Sequence, residues 1–517
     1  MRPSSYLLAP LLVALTSCSV GPDFERPAAP DDTAYDSSPL PTATAASKDN
    51  AVTVQSFAAG KDIPSQWWTL YHSKPLNDLM AKALAANPDL KAAQASLRAA
   101  SENLAAGESV LFPSVTGDIG TSRQKTSGAG NGGNFPGALY TLHNASVGAS
   151  YVLDIFGAAR RSVEELEAQK DYQDFQVKAA YLSLTSNVVT TAIQEASLRA
   201  QIDAAEKIIA AETRQLDLTQ QQFKQGSVAR SALLTQQNAL AQSKATLPPL
   251  EKQLALIRHQ LSILCGETPS HEPGAKFLLS SLELPGELPV SLPSKLVEQR
   301  PDVRAAEANL HAASAAIGVA EANRFPQIAL TANIGDEANN LGRMFFPGSG
   351  IWSAGFDITQ KLFDAGQLEH QQGAAEAQFD VAAAQYRKTV LTAFQDVADA
   401  LRALQSDAEA LDFNRTAEKT ASENLKLTQE RFNAGAVSAI DLFVAEVTEL
   451  QARTNRIKAE AQRYADTAAL FQALGGGWWN AVPDEAPQAA SAPVPDHNNK
   501  DSDSEQPATT IQAWRHE

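Results

Sequence analysis

Two periods of apolar spacing alternate along this chain. Four short segments repeat every second residue. In the first, Val115, Gly117 and Ile119 alternate with Ser114, Thr116 and Asp118, and in the second, Ala145, Val147, Ala149, Tyr151 and Leu153 alternate with Asn144, Ser146, Gly148 and Ser150. The third sets Ile328, Leu330, Ala332 and Ile334 against Gln327, Ala329, Thr331 and Asn333; the fourth sets Trp352, Ala354, Phe356 and Ile358 against Ser353, Gly355, Asp357 and Thr359. Period two sends successive side chains to opposite faces, so each segment predicts a strand with one apolar face. Each is about ten residues long, which is the length a membrane-crossing strand needs. A half-buried soluble hairpin would show the same alternation.

Elsewhere the period is helical. Ala158 to Gln225 is a run of 68 residues without Pro or Gly. As one helix it would be roughly 100 Å long. A second clean run covers Ala374 to Ala434, and the chain turns back after each run at Gly226 and Gly435. Along the second return segment, Ile440, Phe443, Val447, Leu450, Thr454, Ile457, Ala461, Tyr464, Ala468 and Phe471 step by three and four, the spacing of a coiled-coil seam. In the first return segment Leu233, Leu240, Leu247, Leu254 and Leu261 fall at sevens, and Pro248-Pro249 predicts a kink or break. Pro88-Asp89 and Pro301-Asp302 open shorter helices, about Asp89 to Val110 and Asp302 to Asn323, each ended by Phe-Pro.

These elements occur twice in the same order. Asn87-Pro88-Asp89-Leu90 recurs as Arg300-Pro301-Asp302-Val303, and Phe112-Pro113 as Phe325-Pro326, both 213 residues on. Phe223 to Gly226 recurs as Phe432 to Gly435, and Leu264-Cys265-Gly266 as Ala473-Leu474-Gly475, both 209 residues on. The offset shrinks between the second and third landmarks, and the Gly-rich stretch Ser127 to Gly133 is the candidate for the extra length. The sequence therefore divides into repeat 1 at 76–266, a linker at 267–294 and repeat 2 at 295–479.

Composition narrows the class. No stretch of 18 consecutive apolar residues is present, so no transmembrane helix is expected. Four strands cannot close a barrel, and an open sheet edge in lipid leaves backbone groups unsatisfied. Membrane strands would therefore oblige the chain to oligomerise, two chains giving eight strands and three giving twelve. A net charge of −17 argues against nucleic acid as a partner. The eight His are scattered, two Cys make no Cys-rich metal site, and no phosphate-binding or hydrolase motif stands out. Neither catalysis, a metal nor a cofactor is expected.

The ends differ from the middle. Residues 1–17 have the shape of a secretion signal, and Leu15-Thr16-Ser17-Cys18 resembles a bacterial lipobox, which would make Cys18 a lipid anchor. Ser19, rather than Asp, resembles an outer-membrane address. Residues 18–75 read as an extended lipidated strap, and 480–517 as a disordered acidic tail that carries about −5 of the charge.

The ordered set of motifs resembles the TolC-type outer-membrane efflux proteins, and within them the NodT-like lipoproteins. The carrying residues are Gly21 to Pro27, Trp67-Trp68, Leu104 to Val115, Leu153 to Gly157, Ala245 to Leu254, Leu362 to Gly366 and Ala473 to Trp478. The resemblance implies a homotrimer in the outer membrane, with a twelve-stranded β-barrel and an α-barrel of long antiparallel helices that crosses the periplasm. It also implies a periplasmic adaptor and an inner-membrane pump as partners, the chain itself being a passive exit duct. The adaptor contacts would be Gly226, Ser227 and Val228 at one tip and Gly435, Ala436 and Val437 at the other. Asp441 would form an anionic ring at the periplasmic constriction. Ala232 stands where relatives often keep Asp. Two rivals remain open at this stage: the duct of a protein exporter, and a periplasmic coiled-coil scaffold without a pore. Cys265 is expected as a small buried apolar residue.

Overall fold

A computed structural model describes residues 19–32, 34–37, 41–45, 54–127, 137–272 and 274–481. The signal, Cys18, the stretch 128–136 and the tail beyond Ala481 lie outside the described residues. The described strands are β1 (Ser56–Ala59), β2 (Ser114–Lys125), β3 (Leu139–Leu153), β4 (Glu287–Val290), β5 (Gln327–Ala338) and β6 (Gly350–Thr359). The helices are α1 (Lys74–Ala86), α2 (Pro88–Glu108), α3 (Ala158–Lys224), α4 (Arg230–Leu264), α5 (Pro293–Gln299), α6 (Pro301–Ala322), α7 (Gln367–Asn433) and α8 (Ala439–Ala473).

The duplication is visible in element lengths. α3 and α7 are both 67 residues long, and α4 and α8 are both 35. Each repeat is also closed in the same way. The residue before the Pro-Asp helix start reaches the last turn of the return helix: Asn87 Nδ2 donates to the Leu264 carbonyl at 3.0 Å, and Arg300 Nη1 to the Ala473 carbonyl at 3.2 Å. Asn87 additionally caps α2 by accepting from the Leu90 amide.

Sheet and helices meet at two matching corners. Gly157 and Gly366 precede the long helices at φ +85° and +87°, conformations that favour glycine. Before each, an Asp carboxylate accepts from the first helical amides: Asp154 from Ala159 and Arg160, Asp364 from Gly366 and Leu368. The Asp-Ala-Gly motif at 364–366 is thus a turn and a helix cap.

The strap and the linker are more structured than their composition suggests. β1 pairs in parallel with β4, 231 positions away at Ser56 and Glu287. Around this small sheet lies the principal core, with Ile63, Trp67, Tyr71, Phe277, Leu288, Leu296 and Phe471 all fully buried. Trp67 stacks on Phe471 with ring centroids 5.3 Å apart. The chain preceding β1 is tied in as well. Arg463 on α8 donates to Gln55 Oε1 and Thr44 Oγ1, and Arg161 on α3 bonds the Val20 and Gly21 carbonyls and Asp23. Gly21 fits against Gly318 so closely that a Cβ there would lie 2.4 Å from the Gly318 Cα.

Four expectations are corrected or refined. The break expected at Pro248-Pro249 does not occur: both lie within one continuous α4. Both face solvent, where water can take the carbonyls their missing amides release. α7 begins at Gln367, seven residues before Ala374, because the Asp364–Gly366 cap starts it and Gly373 is carried inside. The α8 seam holds from Ile457 to Phe471 but not toward the tip. There Leu442, Ala445, Glu446 and Glu449 are buried within the protomer, while Ile440 and Val447 are 58% and 45% exposed. The extra length of repeat 1 is also shared out. β2 and β3 are separated by two more residues than β5 and β6, and β3 with the four residues after it is two longer than β6 with the seven after it.

Candidate functional site: a one-faced sheet and two helical tips

The sheet order is β2-β3-β5-β6, antiparallel throughout. Its register aligns the four period-two patterns on one face. One row across the sheet is Gly117, Val147, Ile334 and Trp352; the next is Val115, Ala149, Ala332 and Ala354. Tyr151, Leu330 and Phe356 follow, then Leu153, Ile328 and Ile358. The other face presents Thr116, Gly148, Asn333 and Ser353 in one row and Ser114, Ser150, Thr331 and Gly355 in another. Ile119, Trp352 and Ile334 are 87%, 80% and 67% exposed in the single protomer. An apolar face of this extent is unsuited to water and suited to hydrocarbon.

The sheet is also incomplete. Among the described residues β2 and β6 each pair on one side only. With an even number of alternating strands, β6 of one copy can continue antiparallel onto β2 of another, so copies can add until a barrel closes. No helix among the described residues is long and apolar enough to cross a membrane, which leaves the sheet as the element with a membrane-matching face.

The opposite end of the molecule carries the two turns. α3 and α7 end in the same motif. Gly226 and Gly435, at φ +75° and +73°, donate to the Phe223 and Phe432 carbonyls. The next amides, Ser227 and Ala436, reach back to the Gln222 and Arg431 carbonyls at 2.9 and 2.8 Å. Nothing lies within 4 Å of a Cβ built at either glycine, so within the protomer the left-handed turn is what requires glycine. Gly226, Ser227, Gly435 and Ala436 are exposed, and Val228 and Val437 are half-buried.

Beyond the turns the repeats diverge. α8 starts with a capping box: Asp441 Oδ2 accepts from the Ser438 amide at 2.8 Å and its hydroxyl at 2.6 Å, and the Asp441 amide donates to Ser438 Oγ at 3.3 Å. The Ser438 hydroxyl bond holds the Asp441 carboxyl below the usual range, so it is ionised at neutral pH. The corresponding positions in repeat 1 are Ala229 and Ala232, and α4 starts without a side-chain cap. The capping role of Asp441 was readable as Ser-x-x-Asp at 438–441. Buried carboxylates on the helices, Glu212 and Glu446 among them, were not foreseen.

Cys265 is buried, and burial pushes its thiol up. Among the described residues no group of three or more His, Cys, Asp and Glu is arranged to hold a metal.

Comparison with known proteins agrees with this geometry. A family model described as outer membrane efflux protein matches residues 79–267 and 292–476. The chain is 29% identical over 488 residues to the toluene efflux pump outer membrane protein TtgF of Pseudomonas putida, covering 92% of this chain and 97% of that protein. It is 28% identical over 486 residues to the cation efflux system protein CusC of Escherichia coli, covering 92% of this chain and all of CusC. Among solved structures, the outer-membrane channel OprN superposes with a TM-score of 0.79 at 26% identity, over 89% of this chain and 100% of that one. The chain belongs to the outer membrane efflux protein family.

Proposed function

We propose that the protein is the outer-membrane exit duct of a tripartite efflux system. Three copies close a twelve-stranded barrel in the outer membrane, and their helices form a conduit through the periplasm. The observation that carries this reading is the register of the β2-β3-β5-β6 sheet, which collects every apolar alternation on one face and leaves both edges open. A scaffold lipoprotein without a pore has no use for such a face. α3 and α7, each about 100 Å long at 1.5 Å per residue, suit an aqueous crossing far wider than a bilayer.

The chain performs no chemistry in this reading. An inner-membrane pump supplies the energy, and a periplasmic adaptor joins pump to duct at the tips, with Gly226, Ser227, Val228, Gly435, Ala436 and Val437 as the contact loops. Asp441, ionised at its capping box, forms an anionic ring at the narrow end. Cys18 carries the lipid, and the strap from Val20 to Asp23 is clamped by Arg161 directly after it. The two relatives are named for toluene and for cations at 29% and 28% identity. The cargo is therefore not carried by overall likeness, and small molecules are the class this reading commits to.

The test is conduction. Full-length protein extracted in detergent should migrate as a heat-modifiable trimer, show a β-signal beside the helical one, and give discrete currents in planar bilayers. Protein that stays purely helical and leaves the membrane once delipidated would favour the scaffold.

A further inference from the structure

Each protomer holds two helical hairpins, α3–α4 and α7–α8, which pack on one another where α3 meets α8. On that seam two carboxyl groups are buried without a counter-ion among the described residues. Glu212 of α3 has no exposed surface, and Glu446 of α8 is 4% exposed. Glu212 Oε1 accepts from Ser243 Oγ of α4 at 2.8 Å. The Oε2 atoms of both glutamates have no partner among the described residues. They lie 14 and 11 residues from the turn glycines Gly226 and Gly435, which places them about 15–20 Å above the tips.

The surrounding charges do not neutralise them. Glu446 lines a cavity of about 400 Å³ between α3, α7 and α8, together with Lys426 and Glu430 of α7 and Glu449 and Arg453 of α8. Arg453 is committed to Glu449 and Glu418. Lys426 forms no ion pair with Glu446 among the described residues, and Glu430 carries the same sign as Glu446. α4 faces the pair with the Ser243 hydroxyl. The duplication supplies a contrast. In the second hairpin Glu449 accepts from Ser422, and it has Arg453 as a counter-ion. The position related to Glu212 is Ala421. The second hairpin thus holds a compensated acid at this depth and no counterpart of Glu212, so the bare pair is specific to the seam.

Glu446 shares its cavity with Ile208 and Ala211 of α3, Ala211 being the residue before Glu212, and two carboxylates buried this near lose hydration and repel. One proton removes the repulsion and gives one carboxyl a hydrogen to donate. We propose that Glu212 and Glu446 form a shared proton-binding site between the two helical hairpins, and that losing the proton loosens the seam just above the tips. Burial, and then the Glu212 charge, pushes Glu446 up to about 7. Burial raises Glu212 as well, against the pull of Ser243. A raised acid gives stability that is complete below its unfolded value near 4.5 and is lost as pH rises through about 7. The consequence for the exit rests on the duct reading; the proton site is a property of the protomer.

The experiment is hydrogen exchange with mass-spectrometric readout on full-length protein in detergent, from pH 5 to 8, corrected for intrinsic exchange rates. Segments 205–224 and 439–453 should lose protection by about tenfold or more across that range, since each unit of pKa shift is a tenfold effect. Glu446→Gln should hold the low-pH protection at every pH. Glu212→Gln should move the midpoint down, and Glu449→Gln should leave it in place. Flat wild-type protection, or a Glu446→Gln protein that keeps the wild-type pH response, would overturn the proposal. If Glu446→Gln does not fold, an unchanged midpoint in Glu212→Gln overturns it equally. Currents in planar bilayers are read separately: exchange as described without any current defeats the duct reading alone.

Discussion

The four-stranded sheet and the layer around Trp67 treat apolar surface in opposite ways. β6 is exposed along all ten of its residues and β2 along all but one, Gly120. In the layer around β1 and β4, by contrast, Trp67, Tyr71, Phe277 and Leu288 have no exposed surface. The protomer therefore completes its own core in the middle and borrows lipid and neighbouring copies at the sheet. One sequence can do both because the sheet needs only a consistent face, while the middle layer needs specific shapes brought together from the strap, the linker and the end of α8.

The sharpest way to break this contrast is at Trp67. Its ring stacks on Phe471 and meets Tyr71 edge-on with centroids 6.4 Å apart. Trp67→Ala should cost about 3–5 kcal/mol, read as a large fall in the thermal midpoint of the helical signal in detergent. A near-normal melt would mean the middle layer is not the self-sufficient part. The sheet should respond to environment instead. Ile334→Lys, on the apolar face, should cost about 2–4 kcal/mol if the residue lies near the bilayer midplane, seen as loss of the heat-modifiable trimer. Ser353→Lys, on the other face and paired with Asn333, should assemble normally and alter ion selectivity. Equal tolerance at both positions would remove the lipid face from the argument.

The sheet was legible from sequence and the middle layer was not. Alternation in β2, β3, β5 and β6 is a local signal, and so is a run of 68 residues without Pro or Gly. β1 and β4 are four residues each, one of them containing Pro289, and they pair across the whole of repeat 1. No periodicity can be read from four residues, and nothing local announces the partner. The lower seam failed for a different reason. α8 carries two candidate stripes there, Ile440-Val444-Val447 and Leu442-Ala445-Glu446-Glu449, and the more apolar one is the exposed one. Hydrophobicity says that a stripe will be covered, but not whether its own hairpin or another chain covers it. The tips were legible as turns, since Gly226 and Gly435 stand at the ends of clean helical runs.

A finer version of the contrast concerns the strap, which belongs to the self-sufficient part only if its contacts hold it. Gly21 has φ +91° and no room for a Cβ against Gly318. Gly21→Ala should release the segment around Val20 to Phe24, so that limited proteolysis cuts it in the folded protein. The helices should melt almost as before. Unchanged resistance would show that Arg161 and the Phe24–His311 stack suffice without the glycine contact.

The smallest effect lies between the two tips. Their turns are alike down to the amide that reaches back, yet only α8 is capped by its side chains. Capping matters at a tip because the first amides of a helix have no partner inside it and the turn is open to solvent. Ser438→Ala should therefore speed hydrogen exchange in the first turn of α8 and leave α4 unchanged. Ala229→Ser with Ala232→Asp should slow exchange in the first turn of α4 and bring the two tips level. The same double substitution adds a second carboxylate per protomer, held by its own cap as Asp441 is by Ser438. It should shift cation selectivity modestly without closing the conduit, since a carboxylate occupied by its own helix start is not free to link neighbouring tips. A large fall in single-channel conductance for the double variant would contradict this, and would place position 232 within reach of a neighbouring tip rather than on a helix start.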